Sequence, residues 1–532
     1  MHYLGNYRQS LLIFLYEGLF FFYFCAPEVE GMSSKFKFFR SGLMLTAVAL
    51  TMRTVSMFFG AFISRSVGAE GVGIYTLVMT VYSFAVTFAT SGISLTVTRL
   101  VAGAIGENKS SDVGRILRGA LLYATAFGAL ATLFLFFGAQ LLGGIVLDDL
   151  RTVKSLKILS FSLVPIALGS VFSGYFVGVK RVGFNASVQV IAQLAKIVLT
   201  VLLVVKRADG EIASAVAALC LAVTLTEILA FGFVFLEYLY DRRKNGTRSH
   251  GTPRLYEVAK MALPLAFSAY VRSVLLNVEH ILIPKKLREK GESDSEAYSH
   301  YGTLHGMALP LILYPMSPLS SFSGLLVPEF AEDMSAGREG RMKKIATDAM
   351  NTTLSYAVIC SVLIYFFAEE LGYVIYHSYD AGYYISTLAM IIPIMYLDHV
   401  TDSILKGIGE HVFSMWVNIS DSCLSVILVW FLIPRLGIMG YALVIVIMEG
   451  YNFLLSVVRL KKKINFSIHP SRAVLLPLAS SLTACIIAEG AFDFGGSASE
   501  PLWLFLKITF TLCITLSSYI ILNRMTQKAV KA

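Results

Sequence analysis

Fourteen apolar runs, separated by short polar loops, are each long enough to cross a bilayer, and this pattern constrains the fold more than any other feature. A membrane helix needs about 20 mostly apolar residues. The runs lie near 42–63, 73–97, 117–146, 156–178, 184–205, 211–237, 258–283, 302–328, 345–368, 383–405, 412–433, 436–458, 472–489 and 502–523. They predict an all-α polytopic membrane protein of about 14 transmembrane helices. Composition agrees: only 15% of the 532 residues are charged, and mean hydropathy is +0.69. Ordinary soluble domains carry about 25% charged residues. A conventional cytosolic protein, a disordered chain, a collagen and a disulfide scaffold are excluded.

The six cysteines (Cys25, Cys220, Cys360, Cys423, Cys485, Cys513) stand singly within apolar stretches and form no C-x-x-C spacing. That argues for small packed side chains rather than disulfide or zinc chemistry, so no metal is expected. The net charge of +9 comes from short loops and reads as topology, not as nucleic-acid binding. If the segment with Lys35, Lys37 and Arg40 is cytoplasmic, alternate loops on that side hold 27 basic residues and the opposite loops 11. Positive loops stay inside. The bias predicts a multi-pass plasma-membrane protein with both termini cytoplasmic.

Residues 1–31 fit this scheme poorly. Leu11–Cys25 is apolar apart from Glu17 and follows Arg8, as in a signal h-region. The bulky Phe22-Tyr23-Phe24 before Cys25 does not suit lipoprotein cleavage. The reading adopted is a leader or misassigned start, with the working chain beginning at Met32.

Four short matches recur at nearly one offset: Gly114-Arg115 with Gly340-Arg341, Phe136-Phe137 with Phe366-Phe367, Thr76-Leu77 with Thr303-Leu304, and Gly178/Phe184 with Gly407/Phe413. The offsets are 226, 230, 227 and 229. A six-span unit is thus duplicated, and an even number of crossings keeps both copies in one orientation, as in parallel-repeat transporters. The expected organisation is an N-lobe at 32–237 (spans 1–6), a basic cytoplasmic linker at 238–257, a C-lobe at 258–458 (spans 7–12), and two extra spans with a cytoplasmic tail at 459–532. Two lobes with a site between them suit alternating access. No G-x-x-x-x-G-K-[ST] is present to cradle ATP phosphates.

Ionisable residues inside spans are the sharpest functional signal, since each costs about 2.5–3.5 kcal/mol on insertion scales. Arg53 lies at the middle of the first span, which has no acidic residue to neutralise it, and Arg272 at the middle of the seventh, its repeat counterpart. Glu279 lies two turns beyond Arg272, with His280 beside it. A structural Arg–Glu pair is one reading; a cationic midplane site for a phosphate is the other, and packing alone does not require two unneutralised arginines. Pro310, Pro315 and Pro318 break the eighth span, which membranes tolerate where a helix lines a cavity, and His305 stands just before them. Asp398, Asp402, Asp421 and Glu449, with His399, form a second group on spans ten to twelve. Asp398 and Asp402 share a helix face, and Lys406 one turn on explains part of the group as an ordinary ion pair. The remainder suggests a coupling site for a proton or sodium. Lys196, Glu227 and Lys507 read as snorkelling or helix-contact residues.

Ile63-Ser-Arg-Ser-Val-Gly-Ala-Glu-Gly-Val-Gly-Ile-Tyr75, Ala89-Thr-Ser-Gly-Ile-Ser and Arg99-Leu-Val-Ala102 resemble the opening of stage V sporulation protein B-type polysaccharide transporters. These belong to the multidrug/oligosaccharidyl-lipid/polysaccharide flippase superfamily. Tyr301-Gly-Thr-Leu-His-Gly-Met-Ala-Leu-Pro310, Leu326-Val-Pro-Glu329 and Leu405-Lys-Gly-Ile-Gly-Glu410 are similar to that family's second-lobe patterns. The resemblance spans about residues 32–525. It implies flipping of a polyprenyl diphosphate-linked sugar to the outer leaflet, through a V-shaped cavity between the lobes. Arg53 matches one of the arginines it implies, and with Arg272, Glu279 and His305 from the residue reading it makes the expected substrate-binding group, among membrane lipids. Related lipid II flippases place several arginines in this cavity; Phe59 and His305 stand where two would be expected, a departure from the lipid II pattern.

Two rival readings are a membrane-embedded polysaccharide polymerase or ligase, and a multidrug or cation-coupled exporter of the same superfamily. The enzyme reading needs a sizeable outer loop or a surface acidic pair. The longest charged outer loop, near 285–300, is short, and Asp148-Asp149 reads as a helix end. No enzyme and no cofactor are therefore expected. The exporter reading favours acidic cavity residues over arginines.

Overall fold

The computed structural model describes residues 34–106, 110–179, 181–205, 212–245, 252–492 and 501–531. The leader at 1–31, the start at Met32 and the side chain of Arg53 lie outside what it describes. The described chain is helical and without strands. In hydrocarbon each N–H and C=O must be satisfied within its own segment, and long apolar runs do this as helices.

In chain order the helices are α1 (Ser34–Thr90), α2 (Ile93–Gly106), α3 (Ser110–Leu141), α4 (Thr152–Ser160), α5 (Leu163–Gly178), α6 (Val182–Val205), α7 (Ile212–Asn245), α8 (Leu255–Glu289), α9 (Asp294–Tyr301), α10 (Leu309–Leu313), α11 (Met316–Ser335) and α12 (Glu339–Phe366). They continue as α13 (Ala368–Tyr376), α14 (Tyr379–Ala389), α15 (Ile392–Gly407), α16 (His411–Leu436), α17 (Ile438–Lys463), α18 (Leu476–Phe492) and α19 (Pro501–Lys531). Wider π-helical turns occupy Leu142–Val146, Gly302–Ala308 and Ser471–Leu475.

Each expected apolar run coincides with a helix or a bent helix pair, but membrane-crossing character is uneven. Among the described residues nine helices are long and apolar enough to cross a membrane, or eleven when α4–α5 (bent by 43°) and α14–α15 (bent by 58°) each count as one span. The other three expected spans are the first, seventh and eighth. Side chains at 34–54 are not described, so the first cannot be weighed over most of its length. The seventh forms α8, whose apolar run is interrupted by Lys260, Arg272, Glu279 and His280. The eighth is divided into a π-helical turn, α10 and α11, as its prolines require. The basic stretch expected to link the lobes starts helical, because α7 runs on to Asn245.

The first two runs form one bent helix, turning at Gly68 where φ is +71° and ψ 176°. A side chain would be strained there. Past the turn, α1 meets the second half of the chain with almost no side chain between the backbones. A Cβ on Gly73 would lie 2.0 Å from the Tyr298 carbonyl oxygen, and one on Gly302 would lie 2.4 Å from that of Ala69. Small residues let membrane helices approach this closely.

Polar contacts join the halves at both ends. At the Arg65 end, Arg65 donates to the carbonyl oxygens of Val374 and, at 3.1 Å, Ile375, the last turn of α13. There Ser295 donates to Glu70 at 2.7 Å, and Arg288 pairs with Asp148 at 3.2 Å. At the Arg254 end, Arg254 pairs with Asp112 at 2.5 Å, and its backbone N–H donates to the Arg115 carbonyl at 3.2 Å. Between the ends, Tyr270 of α8 and Ser91 share a hydrogen bond at 2.6 Å. Helix α8 therefore touches both the N-terminal half and α16.

Candidate functional site

Three helices of the C-terminal half carry polar residues at helical spacing. Asp398 and Asp402 lie on α15; Ser414, Asn418, Asp421 and Ser425 on α16; Glu449, Asn452 and Ser456 on α17. Steps of three or four residues put each set on one face. Those faces converge on a cavity of about 230 Å³, lined by Asp398, Asp402, Ser414, Asn418, Glu449, Asn452 and Ser456, with Leu313, Met316 and Met395 at its apolar side.

The carboxylates are only partly neutralised. Asp402 forms an ion pair with Lys406 at 2.5 Å. Asp398 accepts a hydrogen bond from Ser456, and Asp421 one from Asn452. The charged neighbours of Glu449 are Asp398 and Asp421, both acidic. Among the described residues several buried oxygens have no hydrogen-bond partner: Oδ1 of Asp398, Oδ1 of Asp421, Oδ1 of Asn452 and Oγ of Ser414. An unmatched buried acceptor costs about 1–3 kcal/mol, more when charged, unless a proton, a cation or a water answers it. Oxygen donors of this type suit a proton or a hard cation. Among the described residues no three His, Cys, Asp or Glu side chains stand close enough to hold a metal ion between them. A cation would therefore draw on amide and hydroxyl oxygens as well as carboxylates.

The four acidic residues singled out from the sequence thus come together. The substrate-contact group divides. Arg272 is exposed on α8, and its charge acts on Asp421 across to α16. Glu279 is hydrogen-bonded to Ser425 and acts on Asp421. No Arg272–Glu279 ion pair forms among the described residues, so Arg272 is not held by the acidic residue of its own helix. His305 stands apart, within the π-helical turn. Its ring packs against His280 at 4.4 Å and stacks on Tyr301 at 5.5 Å, and its Nδ1 has no hydrogen-bond partner. This cluster sits where Gly302 and Gly306 meet α1. Ser414, Asn418, Asn452 and Ser456 were not singled out from the sequence. Their signal was present, since 414-418-421-425 and 449-452-456 are single-face stripes through apolar helices.

The polysaccharide biosynthesis protein family model matches residues 38–334, more than half of the chain. The chain belongs to that family. A second family model, MatE, matches residues 307–431. Stage V sporulation protein B of Bacillus subtilis (strain 168) is 27% identical over 422 residues, covering 78% of this chain and 81% of that relative. A solved structure of the lipid II flippase MurJ, in an inward closed conformation, superposes with a TM-score of 0.71 at 16% identity, over 91% of this chain and 99% of that one. An inward-facing multidrug resistance MATE family transporter of the MOP superfamily superposes with a TM-score of 0.66 at 14% identity, over 79% and 98%. This member of the polysaccharide biosynthesis protein family is a multi-pass helical membrane protein with the architecture of these structures.

Proposed function

We propose that the protein flips a lipid-linked oligosaccharide or polysaccharide precursor across the cytoplasmic membrane by alternating access between its two lobes. The observation that carries the reading is Arg272, a cation exposed in the middle of α8, the helix that touches both halves of the chain. An arginine left in a span without an acidic partner on its own helix is costly unless it serves a ligand. Its planar fork matches a phosphate in two-point fashion. Arg53 lies mid-way along the first span, the counterpart of the seventh by the duplication, and the two are proposed to grip the diphosphate of a polyprenyl-linked sugar. The name of the lipid II flippase, whose fold this chain shares, supports a lipid-linked sugar as cargo.

The carboxylates of the C-terminal cavity are proposed to take the coupling cation, a proton or sodium. Their unpartnered oxygens support that role, and filling and emptying the site would bias the lobes between two states. Both termini are proposed to face the cytoplasm, with the fourteen-span, two-lobe organisation read from the loops.

The acidic cavity also favours a second reading, a cation-coupled multidrug exporter, in line with the MatE match over 307–431. One experiment separates them. The purified protein in liposomes should move a polyprenyl diphosphate-linked oligosaccharide under a sodium or proton gradient and leave a cationic dye where it is. Dye transport without sugar transport would reverse the assignment.

A further inference from the structure

The contact between the halves holds a group of side chains that neither site proposed above uses. His280 of α8 and His305 of the π-helical turn lie edge to face, with ring centres 4.4 Å apart. Tyr301 is fully buried and stacks on His305, the two planes 4° apart. Its hydroxyl lies 3.3 Å from Nδ1 of His280. Nδ1 of His305 is buried and has no hydrogen-bond partner among the described residues. The turn that carries His305 is of the rare π form, which occurs frequently at functional sites. Its two glycines press on α1. A Cβ on Gly302 would lie 2.5 Å from the Gly73 nitrogen, and one on Gly306 would lie 2.4 Å from Cγ1 of Val72. The turn is therefore held in place while the halves keep this arrangement.

The pair is built for two neutral rings. A neutral imidazole donates from one nitrogen and accepts at the other, whereas a charged one donates from both. The Tyr301 hydroxyl can donate to His280, but a proton on Nδ1 of His305 meets no acceptor. Nearby charges are engaged elsewhere. His300 has Glu292 at 3.0 Å, whereas among the described residues neither His280 nor His305 forms an ion pair. Glu279, beside His280, is hydrogen-bonded to Ser425 of α16 and acts on Tyr301 and on Tyr441 of α17. Arg272 acts on Asp421 of α16. On α1, Glu70 is held by Arg151 and Ser295, and Val72 and Thr76 lie beside the turn. Helix α14 also packs on the turn and carries Tyr379, Asp380, Tyr383 and Tyr384, of which Asp380 acts on Tyr384. Helix α10 is apolar.

We propose that His280 and His305 form a one-proton site, filled from solvent at Nδ1 of His305, and that its filling moves the halves out of the arrangement described here. Two charged rings at this spacing would repel, which limits the pair to one proton. The charged ring regains solvation only when the glycine contacts with α1 loosen, so proton uptake and movement are linked. Histidine is the side chain whose ordinary titration falls between about pH 5 and 8. The site depends neither on the cargo nor on the cation cavity proposed above.

The test uses the full chain in lipid nanodiscs with its native cysteines replaced by alanine. Spin labels are attached after Lys154→Cys on α4 and Asp380→Cys on α14, exposed positions at the Arg65 end of the two halves. Between about pH 8 and about pH 5 a second label distance should appear. Its ratio to the first should rise by about tenfold per pH unit at most, as one proton requires. His280→Gln/His305→Gln should keep the alkaline distance throughout, and Glu449→Gln should still respond. No response in the unaltered chain, or a response that persists in the double variant, overturns the proposal. A response lost in Glu449→Gln and kept in the double variant also shows that the proton acts in the C-terminal cavity, so the cation reading stands alone. Should the double variant not fold, nitrogen NMR of labelled histidines decides. The ring signal lost in His305→Gln should protonate over the same pH range as the distance change; a ring that stays neutral overturns the proposal.

Discussion

In the N-terminal half, Arg181 at the start of α6 reaches back to buried Asp241 near the end of α7, and Tyr175 donates to the same carboxylate at 2.7 Å. In the C-terminal half, the residue 229 positions on is Glu410, which pairs with Arg459 and Lys463 at the end of α17, both at 2.8 Å. The place is the same and the polarity is reversed. Both halves thus place a neutralised pair between these two helices, whichever helix supplies the cation. Mid-way along the same helices the halves differ in kind, with Lys196 beside Glu227 on one side and acidic residues together on the other. The end pairs tie helices together, and the mid-helix acidic groups are the ones proposed to serve transport.

The largest effect should come from the buried member of the end pairs. Asp241 is 2% exposed, and its loss strips the buried Tyr175 hydroxyl of its acceptor and the half-exposed Arg181 of its partner, a cost of about 3 kcal/mol. Asp241→Ala should lower thermal stability by that order, read by melting in detergent. Retention of the normal midpoint would break the comparison.

The next effect concerns the arginines. Arg272→Ala and Arg53→Ala should each reduce lipid-linked sugar transport by about 100-fold, or about 2.7 kcal/mol, within the range for losing charge-assisted hydrogen bonds. Membrane expression should be unchanged, and lysine should restore only part. Loss of stable protein in the alanine variants would make the arginines architectural.

Glu410 is the milder counterpart of Asp241. Lys463, then Arg459, hold its carboxyl below the usual carboxylate range. A depressed value means stability present above the unfolded value near 4.5 and lost as pH falls through the folded one. Glu410→Gln should cost about 0.5–1 kcal/mol at pH 7, as for a pair near the surface. The variant and the original should converge in acid. Convergence in base instead would reverse the sign.

The smallest perturbation tests which way the halves face. A cysteine placed at Ser295 should label from outside intact cells, and one at Thr247 should not. The opposite result would invert the membrane orientation and leave the comparison of the halves intact.

The helical segments were legible because hydropathy alone delimits a span, and α16, predicted at 412–433, runs over His411–Leu436. The bends inside α4–α5 and α14–α15 were missed, although Pro165 and Pro393 mark the first turn of the second helix in each pair. The acidic group was legible as single-face spacing within helices. The partners of Arg272 and Lys196 were not. Asp421 is 149 residues from Arg272, and Glu227 is on a different helix from Lys196, so local spacing offered Glu279 or the membrane surface instead.

The contact of Gly73 with Tyr298, and of Gly302 with Ala69 and Gly73, joins main chain to main chain. Surfaces built of side chains interlock like teeth, and parting them forces rotamers to change and leaves holes. Beside these two points side chains do interlock, Val72 on Gly306 and Ser64 on Met307. In the alternating access proposed above, the bare backbone contacts would be the bearing on which the halves turn. A methyl group at Gly73 or Gly302 would jam that bearing.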